Sequence, residues 1–165
     1  MKKNLYLFSI IFSVVLLFSS CISSRKKIES PPVRVQNVTT QNDKNSNYIK
    51  ANEWMVQSFG NAESVIQFTD IEAGIVKGKY IMKEGSTTTG LYGVTTSSPS
   101  FYAIITIRVK DNASRIEILP PIGMYSQTAN GIEFGFTPYV FNKSADELIA
   151  SFKEIMVGKS KNNNW

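Results

Sequence analysis

Side chains able to carry chemistry are few in this sequence and unevenly placed. There is no histidine and a single cysteine, Cys21. A disulfide within the chain, a Ser-His-Asp or Cys-His arrangement and a zinc site built on His and Cys are all excluded. General acid–base work would fall to carboxylates, lysine and tyrosine. The carboxylates show no pairing. Asp70, Glu72, Asp111 and Glu133 fall in turns or irregular stretches, and Asp146 and Glu147 sit where the helix dipole and a cap explain them. No two of them share an apolar pocket of the kind glycoside hydrolysis requires. The run Gly74-Ile75-Val76-Lys77-Gly78-Lys79 lacks the spacing of a phosphate loop, and its lysines alternate as on a strand. The Ser/Thr-rich stretch 85–100 holds no activated nucleophile. The reading is therefore of a chain that is not an enzyme and needs neither cofactor nor metal.

Cys21 has a more specific setting. Lys2 and Lys3 open the chain, an apolar stretch runs from Leu5 to Phe18, and Ser19-Ser20 closes it. That is the three-part layout of a secretory signal, and about fourteen apolar residues are short for a bilayer span of about twenty. Leu17-Phe18-Ser19-Ser20-Cys21 resembles a bacterial lipobox. The small residues admit a signal peptidase, and the Cys21 thiol would take diacylglycerol through a thioether. The plainer alternative is an amino-terminal membrane anchor with an incidental cysteine. On the lipobox reading residues 1–20 are a signal peptide and 21–32 a lipidated tether, polar and ending in Pro31-Pro32. Ile22, in place of an aspartate, points to the outer membrane. With no acidic pair after Cys21, the leaflet facing the periplasm is expected.

The formal charge of +5 does not make a nucleic-acid surface. Residues 33–158 carry eleven Lys or Arg against twelve Asp or Glu, so the excess lies at the two ends. A clustered basic footprint is missing. Arg25-Lys26-Lys27, just past the anchor, suits anionic headgroups, or else a solvated tether.

The elements that must position any site follow from periodicity. With hydrophobic content of 42% in 165 residues, the chain supports one domain with one core, expected over 33–158, with a loose tail at 159–165. Alternation predicts strands over 33–39, 64–69, 75–83, 101–110 and 114–119. In the clearest, Phe101, Ala103, Ile105, Ile107 and Val109 alternate with Tyr102, Ile104, Thr106, Arg108 and Lys110. Apolar stripes predict helices near 47–59, capped by Ser46 or Asn47, and near 145–157, with Ser144 to Glu147 as a capping box. Residues 85–100 read as a long loop. Residues 120–142 read as irregular, with one short strand near Ile132 to Phe136. Consecutive strands joined by turns imply an antiparallel sheet, covered on one face by two helices. This is an α+β, two-layer class, in the order β-α-β-β-β-β-α.

Within that order, the segment Ala51-Asn52-Glu53-Trp54-Met55-Val56, then Glu63-Ser64-Val65-Ile66-Gln67, Asp70, and Gly74 to Lys79 resembles a family of uncharacterised bacterial envelope domains. These are described as having a TATA-binding-protein-like (TBP-like) fold. The pattern places Trp54 on the first helix, Val65-Ile66 on the next strand, Asp70 in an acidic turn and Ile75 to Lys79 on an Ile-x-Gly-Lys strand. The resemblance spans roughly 33–120, and its members are often secreted or lipid-anchored. It implies a TBP-like fold and an envelope setting, and no activity. The loop 85–100 and the segment 120–142 depart from the pattern.

With Ile66, Phe68, Val76, Tyr80, Met82, Ile105, Ile107, Ile116 and Ile118 turned to the helices, the opposite sheet face stays open. It would carry Lys77, Lys79, Tyr102, Ile104 and Arg108, with Gln67, Thr106, Glu117 and Leu119. Apolar groups beside cations make it the candidate binding face, against an ordinary solvated face with an Arg108–Glu117 ion pair. Trp54 reads as packing rather than a stacking platform. The functional expectation is a lipid-anchored envelope protein acting as a binding or assembly module. The alternative is a carrier or sensor of a small, partly apolar ligand held between the sheet and residues 120–142. The partners implied are the membrane, through Cys21, and an envelope protein or small ligand, with no nucleic acid.

Overall fold

The computed structural model describes residues 25–60, 66–90, 93, 95–129 and 132–158. The signal-like stretch, Cys21, Val65 and the tail 159–165 lie outside the described residues. In chain order the elements are β1 (Arg25–Lys27), β2 (Arg34–Thr39), α1 (Lys44–Ser58), β3 (Ile66–Asp70), β4 (Ile75–Lys83), β5 (Ser86–Thr89), β6 (Thr95–Ser98), β7 (Phe101–Lys110), β8 (Ala113–Leu119), β9 (Tyr125–Ala129), β10 (Ile132–Phe136) and α2 (Pro138–Val157).

Five strands form one antiparallel sheet in the order β2-β8-β7-β4-β3. The alternation in β7 decides its two faces. Ala103, Ile105 and Ile107 are fully buried, as are Val76 on β4 and Ile116 and Ile118 on β8. Each large apolar side chain removed from water contributes about 1.5–3 kcal/mol, so this row makes the strand placement costly to slip. Helix α1 lies over β4 and β7, and α2 over β2 and β8, so both helices cover the same face. Their stripes meet at Trp54. Its ring stands edge-on to Phe152 at 5.3 Å, and its Nε1 donates to Ser151 Oγ at 3.1 Å. Trp54 is core, as its type and place on the helix suggest.

The helix starts differ from the sequence reading. Asp43, not Ser46 or Asn47, caps α1, its carboxylate accepting from the Ser46 backbone N–H at 2.7 Å. That hydrogen bond holds the Asp43 carboxyl below the ordinary aspartate range. Asn47 is instead fully buried and donates to Lys110 O at 2.9 Å, tying the helix start to the β7–β8 turn. In α2 the expected capping box lies inside the helix. Thr137 is the cap and Pro138 opens the first turn, where a missing N–H costs nothing and a fixed φ is already helical.

Three stretches read as loop, irregular segment or tether contain further strands, and the short strand expected near Ile132 to Phe136 is present as β10. Ser86–Thr89 and Thr95–Ser98 pair as a polar two-stranded ribbon, whose pairing Ser86↔Ser98 continues the register of Lys83↔Phe101. Tyr125–Ala129 and Ile132–Phe136 pair antiparallel as β9 and β10, and β1 joins β9 antiparallel, with Arg25 opposite Gln127. Past Arg25, then, the expected tether is paired with a strand a hundred residues away. Phe101 stacks on Phe136 at 4.7 Å and Met124 is fully buried, so this small sheet extends the core at one end. The result is an α+β fold with two helices and three antiparallel sheets among the described residues.

Candidate functional site

The open face is built row by row from the strand register. Lys79 lies opposite Ile104, and Ile104 opposite Leu119; Lys77 lies opposite Thr106, and Thr106 opposite Glu117. Ile81 faces Tyr102, and Ile75 faces Arg108. Lys77, Lys79, Tyr102, Ile104 and Arg108 therefore share one face, because β4 and β7 pair without a slip between Ile75 and Ile81. Lys77 and Arg108 are exposed; Lys79, Tyr102 and Ile104 are half-buried. The Lys79 ammonium stands 3.8 Å from the Tyr102 ring centroid, a cation–π contact that keeps both side chains along the sheet.

Phe68 is the main correction. Alternation with Ile66 assigned it to the helix side, but the pairing shifts between Ile66↔Gly78 and Phe68↔Lys77. That irregularity at Gln67 reverses the parity of the strand. Phe68 turns to the open face beside Lys77 and is 50% exposed. Nothing in the sequence marks a bulge there, since Gln67 is neither glycine nor proline. Leu119 (48% exposed) and Val35, which lies opposite Glu117, extend the apolar surface to the β2 edge.

Charges on this face are mostly positive. Arg108 lies opposite Arg115, an unfavourable pairing of like charges. Glu117 offsets it, its Oε1 lying 2.9 Å from Arg115 Nε and 3.9 Å from Arg108 Nε. The expected Arg108–Glu117 contact is thus the longer and diagonal one, and Arg115 is the closer partner. All three groups are at least a quarter exposed, so these pairs contribute about 0–1 kcal/mol each. Next to them an open groove of about 470 Å³ is lined by Asn37, Arg108, Lys110, Ala113 and Arg115, with Val109 and Ser114. Residues 120–127 and 135–142 contribute no lining to this groove; Met124, Tyr125, Phe136 and Phe141 turn into the core instead. Among the described residues no group of three or more Asp or Glu is placed to hold a metal ion.

What this arrangement offers chemically is contact: an apolar middle, a half-covered tyrosine and cations that outnumber the acids Glu117 and Asp70. Comparison with solved structures places the fold. A DUF4468 family protein from Bacteroides ovatus matches with a TM-score of 0.51 and 12% identity, over 83% of this chain and 92% of that one. A TBP-like protein from Parabacteroides distasonis matches with a TM-score of 0.47 and 14% identity, over 75% of this chain and 91% of that one. Likeness at such identities concerns the fold alone. No family model matches the sequence, and no curated protein does.

Proposed function

We propose that this chain is a lipid-anchored protein of a bacterial envelope, built on a TBP-like α+β domain, that works as a non-enzymatic binding or assembly module. Cys21 would carry the lipid, at the outer membrane and facing the periplasm. The open sheet face would be the contact surface, and its partner an envelope protein with an acidic rim around an apolar centre. The observation that carries the reading is the exposure of Phe68 and Leu119, with half-buried Ile104, on the same sheet face as Lys77, Lys79 and Arg108. A monomer gains nothing in stability from large apolar groups turned to water. The carrier alternative has less support, because the grooves along the described surface are open and not enclosed.

A photo-crosslinker at Thr106, in the middle of the face, should trap one protein of the native envelope. Tyr102→Ala and Arg108→Ala should each reduce that crosslink severalfold while leaving the melting temperature within about 2 °C of the parent, as surface substitutions do. An undiminished crosslink in both variants removes the face from the interaction. Anchoring is tested separately, since Cys21→Ser should abolish incorporation of labelled fatty acid.

A further inference from the structure

We infer that strand β1 and the loop bearing Ile122 form a second contact surface, one that lies on the anionic headgroups of the anchoring bilayer. The inference deepens the reading of Cys21 as lipidated and rests on it.

Only four residue steps separate Cys21 from Arg25, at most about 14 Å of extended chain. The headgroup layer of one leaflet is itself about 5–8 Å thick. From Arg25 onward the chain does not swing free. Arg25, Lys26 and Lys27 pair with Gln127, Ser126 and Tyr125. Ile28 N then donates to Met124 O at 3.1 Å, and Ser30 Oγ to Pro121 O at 3.2 Å. Ile28 also packs against the core. A lipid at Cys21 would thus hold the folded body, and this corner of it in particular, at the bilayer surface.

The corner has the composition such a position demands. Ile122 is 94% exposed, the most exposed of the large apolar side chains described. It is not on a loose loop: Pro121 before it is buried, and Gly123 after it takes φ +83°, which turns the chain back sharply. The two hydrogen bonds to residues 28 and 30 set this tip beside β1. Lys26 and Lys27 are exposed on β1, an edge strand of the small sheet, and Glu29 is the one acid nearby in sequence. Residues 118–129 contain no charged side chain at all. An apolar tip flanked by lysines suits the boundary between acyl chains and anionic headgroups, where the isoleucine is buried and the ammonium groups stay at the phosphates. A protein partner is the weaker occupant, since so short a leash leaves little room between this corner and the bilayer.

The test uses the lipidated protein in vesicles of phosphatidylethanolamine and phosphatidylglycerol. Cys21 would be blocked as a thioether, so Ile122→Cys supplies one reactive thiol for an environment-sensitive fluorophore. Val56→Cys on α1, also well exposed, is the control. Neither substitution disturbs packing, so both variants fold. The expected result is blue-shifted emission at 122, quenched at least about twofold more by spin-labelled lipid than the same probe at 56. Lys26→Glu with Lys27→Glu should reduce that difference while the fatty acid remains. A probe at 122 that behaves like the one at 56, on protein whose intact mass shows the lipid, overturns the inference and leaves anchoring standing. Protein whose mass shows an unmodified Cys21 overturns both.

Discussion

Asn47 offers a direct test of how the sheet and the first helix are joined. Its side chain is fully buried and donates to Lys110 O at 2.9 Å and to Asn42 O at 3.3 Å, while accepting from Asn42 Nδ2 at 3.2 Å. Around it Asn112 N donates to Asn42 O at 2.9 Å and Lys44 N to Asp111 Oδ1 at 2.7 Å. The start of α1 and the β7–β8 turn are therefore one hydrogen-bonded unit, with Asn47 at its centre. Asn47→Ala removes three hydrogen bonds worth about 1 kcal/mol each, taking a donor from Lys110 O while Asn42 O keeps that of Asn112 N, a loss of about 2–3 kcal/mol. In a domain of this size that lowers the melting temperature by roughly 10 °C. Asn47→Asp keeps the volume but turns a carboxylate toward two carbonyls, and should cost at least as much at neutral pH. Equilibrium urea unfolding of the parent and both variants provides the measurement. If Asn47→Ala and Asn47→Asp both lie within about 0.5 kcal/mol of the parent, water or backbone shift satisfies these groups and the reasoning fails.

Two further outcomes follow from the same elements. Gly74 has φ +66° and its position leaves a Cβ only 2.4 Å from Val109 O, while Gly74 O accepts from Val109 N at 2.8 Å. Gly74→Ala should therefore cost about 2–4 kcal/mol in denaturant unfolding, and a loss under about 1 kcal/mol would show that the turn relaxes freely. Because its hydrogen bond with Ser46 N holds Asp43 below the ordinary aspartate range, its contribution is present above the unfolded-state pKa and lost as pH falls through the folded value. Asp43→Ala should be less stable than the parent at neutral pH, with the gap closing in acid; a gap independent of pH would refute the ionised cap.

Much of the scaffold was legible because it depends on local periodicity. Ten alternating residues from Phe101 to Lys110 place five side chains on each face whatever their neighbours do, and this brought Lys77, Lys79, Tyr102, Ile104 and Arg108 together on the open side. The helix stripes were legible for the same reason, although their starts were not. Pro138 reads as a breaker until one knows that Thr137 precedes it as a cap, and Asp43 competes with Ser46 and Asn47 within four residues.

The sequence alone determined that there is no histidine chemistry and no disulfide within the chain, that the excess charge sits at the ends, and which residues alternate with which. Tertiary structure decided the rest, because each remaining feature depends on pairing between distant segments. Phe68 faces outward owing to a slipped register against β4, not to anything in its own strand. The Ser/Thr stretch is a ribbon because β4 and β7 hand their register on to it. Arg25 to Lys27 is a strand because Tyr125 to Gln127 supplies the missing hydrogen bonds from across the chain. Local pattern fixes which way side chains alternate, but only the partner strand fixes where the alternation starts.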